Sequence, residues 1–387
     1  MTQHIDPNII ALKPEMTAWR QHIHSYPETA FEEQQTTQFI IEKLKSFGID
    51  ELYTEFAPTG VVGIIKGNKP GKWIGLRADI DALDIIEQNN LDYCSKISGK
   101  MHACGHDGHT SMLLGAAKYL ATHRDFAGTV VVIFQPAEEN EGGGRVMVEK
   151  GLFKHFPIES VYGMHNQPNM PLGEFFIRKG PLMAAYDIFE IKITGKGSHA
   201  AAPHLGFDTI VTATQVVSAL QTIASRNVNP LDSIVVSVTQ IHSGDTWNVL
   251  PQEAIIRGTV RTFKPDVQDL AETRIHDIAN GVASTFNATA DVRYERRYPA
   301  TVNHAEQTDI AVNIATKIVG AKNVHAEVEP SMGSEDFAFM LQAIPGAYIW
   351  LGAGKGANLH HPQFNFNDEI LTTGVAYFVE LVRAELK

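Results

Sequence analysis

The chain has 387 residues, 44% hydrophobic and 20% charged, the balance of a soluble globular protein too long for one ordinary core, so two domains are expected. Its formal net charge of −12 argues against nucleic acid or an anionic membrane as a partner, since either needs a basic face. Cys94 and Cys104, the two cysteines, make no disulfide framework; with no leader-like pattern at residues 1–7 and no long apolar run, a cytoplasmic setting is expected.

In chain order, apolar groups at helical spacing run from about residue 15 to 47, including Trp19, Ile23, Phe39, Ile40 and Leu44, and Gly48 stops them. Short apolar runs follow at Val61–Ile65, Trp73–Leu76 and Thr129–Phe134. They are of strand length and lack polar alternation, as strands covered on both faces do. Ser111–Thr122 between them is a helix rich in small residues. Strands alternating with helices predict an α/β domain whose mixed, largely parallel sheet is flanked by helices.

The texture changes near Gly180-Pro181. Asp187–Thr194 alternates polar and apolar, a strand with one wet face. A helix over about 209–226, strands at Ser233–Thr239 and Glu253–Arg261, a helix over about 267–286 and a strand at Val292–Arg296 follow. This β-α-β-β-α-β order predicts a ferredoxin-like α+β domain. From about 297 the first texture returns, with Ala347–Leu351 as a buried strand. The expectation is a discontinuous domain at 1–180 and 297–387, interrupted by a smaller one at 181–296.

The chemistry concentrates in Met101-His102-Ala103-Cys104-Gly105-His106-Asp107-Gly108-His109, one thiol and three imidazoles ahead of the Ser111 helix. Thiolate, imidazole and carboxylate are transition-metal ligands. Glu138-Glu139 follows the Thr129–Phe134 strand through Gln135-Pro136-Ala137, and the carboxyl ends of α/β strands are where ligands bind. Neighbouring side chains there point different ways, so one carboxylate binds metal while the other stays free as a general base. His165 ends the strand-like Ser160–Met164, and His360-His361 precede Pro362, where at most one imidazole is expected at the metal. In Arg77-Ala78-Asp79-Ile80-Asp81-Ala82-Leu83, one aspartate is expected to orient the base or a ligand. In the inserted domain, the turn Gly195–Ala200 presents His199, while Asn248 and Arg261 suit a substrate carboxylate or oxyanion.

These residues read as a metal-dependent hydrolase. One rival is a thiol hydrolase with Cys104 as nucleophile and a nearby histidine as base. Another is a metal-binding sensor or carrier of acylated amino acids, against which stands Glu138, a carboxylate that ligation does not need.

Taken together the chain resembles the M20 metallopeptidase family, in its amidohydrolase branch of hippurate, N-acyl-amino-acid and indole-acetyl-amino-acid hydrolases. The resemblance runs through Trp19-Arg20, His24, Pro27-Glu28, Leu76–Leu83, Met101–His109, Pro136–Glu139, Gly163–Asn166, Gly195–His204, Asn248–Pro251, Gly258–Phe263, Gly333–Phe337 and Leu359–Pro362. It implies two divalent ions per chain, manganese or zinc with cobalt or nickel also fitting, and an inserted lid that carries the contacts of a homodimer or higher homo-oligomer. By motif position Cys104, His106, Glu139, His165 and His360 would be the ligands, Glu138 the general base and Asp81 its orienting or outer-sphere partner. His199 resembles the lid histidine that polarises the scissile carbonyl, and Asn248, Arg261 and Gly333 resemble groups that bind substrate. The implied reaction is hydrolysis of the amide joining an acyl group to an amino acid in a small molecule. Asp84 stands where the branch usually has proline and Ser198 where it often has glycine, which bears on local loop shape.

Overall fold

The computed structural model describes residues 5–387, so the N-terminal reading at residues 1–4 lies outside the described residues. The chain forms two compact units, one of Met1–Leu182, Thr301–Pro330 and Glu335–Lys387, the other of Met183–Ala300 and Ser331–Ser334.

After a short helical segment at Pro7–Ala11, the first unit has helices α1 (Lys13–Ser25) and α2 (Gln34–Ser46). The apolar spacing over 15–47 is therefore broken in the middle. Pro27 explains the break: its ring disfavours helical geometry in the preceding residue, and Tyr26 leaves the helix at φ −129° and ψ 60°. Then come β1 (Glu51–Tyr53), β2 (Val61–Lys66), β3 (Lys69–Asp79), α3 (His106–Thr122), β4 (Ala127–Gln135), β5 (Ser160–Gln167) and β6 (Phe175–Phe176). The second unit contributes β7 (Ala185–Thr194), α4 (Thr209–Leu220), β8 (Ile234–His242), β9 (Glu253–Thr262), α5 (Pro265–Thr285) and β10 (Thr289–Tyr298). The chain returns to the first unit with α6 (Ala305–Val319), β11 (Val324–His325), β12 (Gly346–Gly352) and α7 (Leu371–Glu385).

The first unit's sheet has the order β1-β2-β4-β3-β5-β12-β6-β11. Its centre, β4-β3-β5-β12, is parallel throughout, and antiparallel pairs flank it. Val130, Val132, Leu76, Ile349, Leu113 and Val375 share one core, in which each fully buried aliphatic side chain is worth roughly 1.5–3 kcal/mol. From Gly128 onward β4 is buried on both faces, the physical reason its sequence does not alternate.

The second unit's sheet is antiparallel, with the order β8-β9-β7-β10, the ferredoxin-like arrangement. Alternate residues of β7 are buried, and Phe189, Ile191 and Ile193 pack with Val216 of α4 and Ile275 of α5. β8 lies at the edge of this sheet.

Candidate active site

The site lies at the carboxyl ends of β3, β4 and β5 and the start of α3. α3 begins at His106, five residues ahead of the helix expected from Ser111, so His106 and His109 stand one turn apart on one face. Gly105 makes this entry possible: its φ is 104°, and a Cβ there would lie 2.1 Å from Asn166 Oδ1. Two residues with side chains also take left-handed backbone, Ala137 at φ 56° just before Glu138 and His360 at φ 62°. Such conformations are disfavoured and persist where surrounding contacts hold them.

Among the described residues, five groups bring possible ligand atoms within 4.8 Å of one another: Cys104–His106–His165, Cys104–Glu139–His360, His106–Glu138–Glu139, Asp79–His106–His109 and Glu138–Glu335–Asp336. The imidazole tautomers fit a cation. Nδ1 of His106 donates to the carbonyl oxygen of Asp81 at 3.0 Å, and Nδ1 of His165 donates to the carbonyl oxygen of Asn166 at 2.6 Å. In the neutral ring each Nε2 would thereby keep its lone pair for a cation. His165 Nε2 lies 3.3 Å from Cys104 Sγ, and His106 Nε2 is buried with no hydrogen-bond partner. Glu139 Oε1 lies 3.2 Å from Nε2 of His360 and 3.9 Å from Nε2 of His106. Burial opposes charge on His106, yet Asp79, Asp81 and Glu139 outweigh it and push its pKa up to about 10, a measure of the negative potential a cation meets there. Thiol, imidazole and carboxylate meet in one group, with Cys104 buried, Glu139 half-buried and His360 exposed, and such donors suit a borderline-soft divalent metal.

Of the two groups an aspartate here could orient, the base or a ligand, Asp81 contacts the candidate ligands: Oδ1 is 3.1 Å from His106 Nδ1, and Oδ2 accepts from the Glu139 N–H at 3.0 Å. A carboxylate at a strand end satisfies the nearest donors, and here those belong to His106 and Glu139. Asp79 lies 2.6 Å from Nδ1 of His109, whose Nε2 lies 2.6 Å from Asn166 Oδ1. With both ring nitrogens engaged, His109 supports the site from behind. His361 is exposed and turned to its own loop, its Nδ1 accepting from the Gln363 N–H.

Behind Glu138 stands a charge cluster built from the Arg77–Leu83 and Gly333–Phe337 strings. Arg77, wholly buried, donates to Gln135, Asp79, Glu335 and Asp336. The Asp336 N–H lies 3.4 Å from Glu138 Oε1. Burial, then the charges of Glu335, Glu139, Asp336 and Asp81, push the Glu138 carboxyl well above the usual carboxylate range. Burial, with Glu139 and Glu138 nearby, likewise pushes the Cys104 thiol well up, so only a contacting cation would favour its thiolate. The Arg77–Leu83 and Gly333–Phe337 strings carry this cluster, but no local spacing pairs them; nothing local marked Glu33, whose Oε1 accepts from the Ala137 N–H at 2.9 Å.

In the second unit, Ser198–His199 pairs with Val249–Leu250 as a short ribbon. The Ala200 N–H donates to the carbonyl of Asn248, so His199 and Asn248 are neighbours, both exposed. Arg261 stacks on Tyr186, 4.1 Å from the ring centroid, and donates to Ser334 Oγ at 3.1 Å. Gly333 is exposed beside it in the chain, its N–H held by Ser331 Oγ.

A fold that gathers candidate thiol, imidazole and carboxylate ligands at its strand ends has the form of a metal-site hydrolase. The profile of peptidase family M20/M25/M40 matches residues 75–384. The N-acetylcysteine deacetylase of Bacillus subtilis is 41% identical over 363 residues, covering 94% of each chain. The hippurate hydrolase of Campylobacter jejuni is 40% identical over 381 residues, covering 98% of this chain and 99% of its own. A solved Bacillus subtilis structure, a dinuclear metal binding peptidase of the M20 family, superposes with a TM-score of 0.85 at 37% identity, over 97% of this chain and 99% of that one. The chain belongs to peptidase family M20/M25/M40, as a metal-binding amidohydrolase.

Proposed function

We propose that the protein hydrolyses the amide bond of N-acyl amino acids at a site that holds two divalent ions through Cys104, His106, Glu139, His165 and His360. The observation that carries this reading is Glu138, a buried carboxyl of raised proton affinity grouped with His106 and Glu139. When bound, the ions would polarise the amide carbonyl and make water a better nucleophile. Glu138 takes the proton of the attacking water and returns it to the amide nitrogen as the C–N bond breaks, releasing the acyl group as a carboxylic acid and the amino acid with a free amine. His199 donates to the carbonyl oxygen as it gains charge, Arg261 pairs with the amino-acid carboxylate, and Asn248 and Gly333 complete the substrate contacts. The names of the relatives, hippurate hydrolase and N-acetylcysteine deacetylase, support this substrate class.

The second unit acts as lid and homodimer contact in this reading. The unpaired edge of β8 and the exposed apolar side chains of Leu205, Phe207, Ile210, Val211, Trp247 and Val249 support such a contact. The two free thiols support a reducing, cytoplasmic setting. Against Cys104 as nucleophile stands its buried thiol, whose ionisation burial, Glu139 and Glu138 disfavour.

The test is amino acid release from hippurate, N-acetyl and indole-acyl conjugates, comparing chelated protein with protein reloaded with manganese or zinc. Release restored by metal is expected. Release that survives chelation and is stopped by thiol alkylation would replace this reading with the thiol hydrolase; metal bound without release of any conjugate would favour the carrier.

A further inference from the structure

Glu33 is wholly buried at the start of α2, far in sequence from the site, and no step of the proposed reaction uses it. Among the described residues no cation pairs with it. Both its oxygens are taken by neutral donors: Oε2 accepts from the Thr59 hydroxyl at 2.5 Å, and Oε1 from the Ala137 N–H at 2.9 Å. A carboxylate stripped of water without a counter-charge is costly, and burial pushes its pKa up to about 7. Its position at the N-terminus of a 13-residue helix offsets part of that cost.

What Glu33 holds is the disfavoured turn. Ala137 sits at φ 56°, where a Cβ crowds the following carbonyl, and it is followed directly by Glu138 and Glu139. The Ala137 carbonyl accepts from the Gly143 N–H at 3.1 Å, which closes the turn on one side. Its N–H points the other way, to Glu33. Without that acceptor, a buried N–H would go unpaired and Ala137 would be free to relax toward negative φ, re-aiming both glutamates.

We propose that Glu33 is a positioning residue for Glu138 and Glu139, holding from behind the left-handed turn at Ala137 that aims the two carboxylates. The inference rests on Glu138 acting as general base.

The test compares metal-loaded wild type, Glu33→Met, Glu33→Gln and Glu138→Gln for kcat, KM, bound metal and Tm. Glu33→Met is expected to lose about 10–100-fold in kcat, the cost of a small misplacement of a reacting group, with KM retained and, although a re-aimed Glu139 weakens metal affinity, full metal occupancy at saturating metal. Glu33→Gln is expected to recover most of kcat, since its amide oxygen still accepts from Ala137 N–H and its NH₂ can donate to a rotated Thr59 hydroxyl. Where Glu33→Met does not fold, Glu33→Asp is read instead: it keeps the charge but withdraws the acceptor by one methylene, and a smaller loss confined to kcat is expected. Wild-type kcat in a folded Glu33→Met, or kcat falling only in step with metal and Tm, overturns the proposal. So does a Glu33→Gln as slow as Glu33→Met. Turnover by Glu138→Gln would instead overturn the reading of Glu138; an inactive Glu138→Gln beside an unaffected Glu33→Met overturns the role of Glu33 alone.

Discussion

Asp81 holds His106 at two points, its carbonyl oxygen 3.0 Å and its Oδ1 3.1 Å from the same Nδ1. Its other oxygen accepts from the N–H of Glu139, so one side chain fixes the tautomer of an imidazole and the backbone of a carboxylate in the same group. Removing such a partner typically costs about 10–100-fold in metal affinity. Asp81→Ala is expected to show that loss in competition against a chromogenic chelator, with the fold intact by circular dichroism. Wild-type affinity would mean that the backbone carbonyl of residue 81 suffices to set the ring.

Arg77 is expected to matter for stability more than for ligation. Its guanidinium donates to Asp79 at 2.8 Å, Glu335 at 2.8 Å and Asp336 at 3.0 Å, all buried. Arg77→Met leaves those carboxylates without their cation, and breaking a buried pair from one side costs about 3–5 kcal/mol. Arg77→Lys should recover little, because an ammonium cannot make the planar fork that reaches four acceptors. Urea denaturation of the three proteins measures this, and a Lys variant as stable as wild type would show that charge alone is enough.

How far the site was legible depends on where its parts stand in the chain. The faces of β4 and β7 are written in their periodicity, because burial on two sides or one decides which positions tolerate polar groups. Cys104 and His106 share one short string, and Glu139 and His165 lie at strand ends, so residue type and neighbours point to them. The first turn of α3 was not legible: His106, Asp107 and His109 carry no apolar period, and they are helical because Gly105 turns the chain into a buried, polar pocket. Still less so were Glu33 and Asp336. They meet Ala137 and Glu138 across 104 and 198 residues, and no local spacing records a hydrogen bond to a backbone N–H or from one.

Arg261 offers a test of substrate orientation that does not depend on the metal ligands. Its guanidinium is held over the Tyr186 ring and by Ser334, presenting a preorganised fork. A hydrogen bond to a charged group is worth about 1.5–3 kcal/mol, so Arg261→Ala is expected to raise KM about 10–150-fold for an N-acyl amino acid. For the matching N-acyl amino acid amide, which has no carboxylate, the two enzymes should differ little. An equal penalty on both substrates would remove Arg261 from carboxylate recognition.

The last prediction concerns pH and a network one step removed from the metal group. His24 of α1 is wholly buried, with Nδ1 2.9 Å from Asp107 of α3 and Nε2 3.1 Å from Glu87, while Arg20 lies 3.8 Å from the same Asp107. Burial works against charge on the ring, but Asp107 and Glu87 outweigh it and raise the pKa from 6.5 to about 9. The folded state therefore holds this proton more tightly than the unfolded chain. The contribution to stability is full below about pH 6.5, where both states are protonated, and is lost as pH rises through about 9; linkage sets its full size at about 3 kcal/mol. Denaturation of metal-loaded wild type and His24→Asn, followed from pH 6 to about 10, is expected to show a stability gap that shrinks across that window. A gap that stays constant would mean His24 is neutral in the fold, and that α1 is tied to α3 through Arg20 and packing instead.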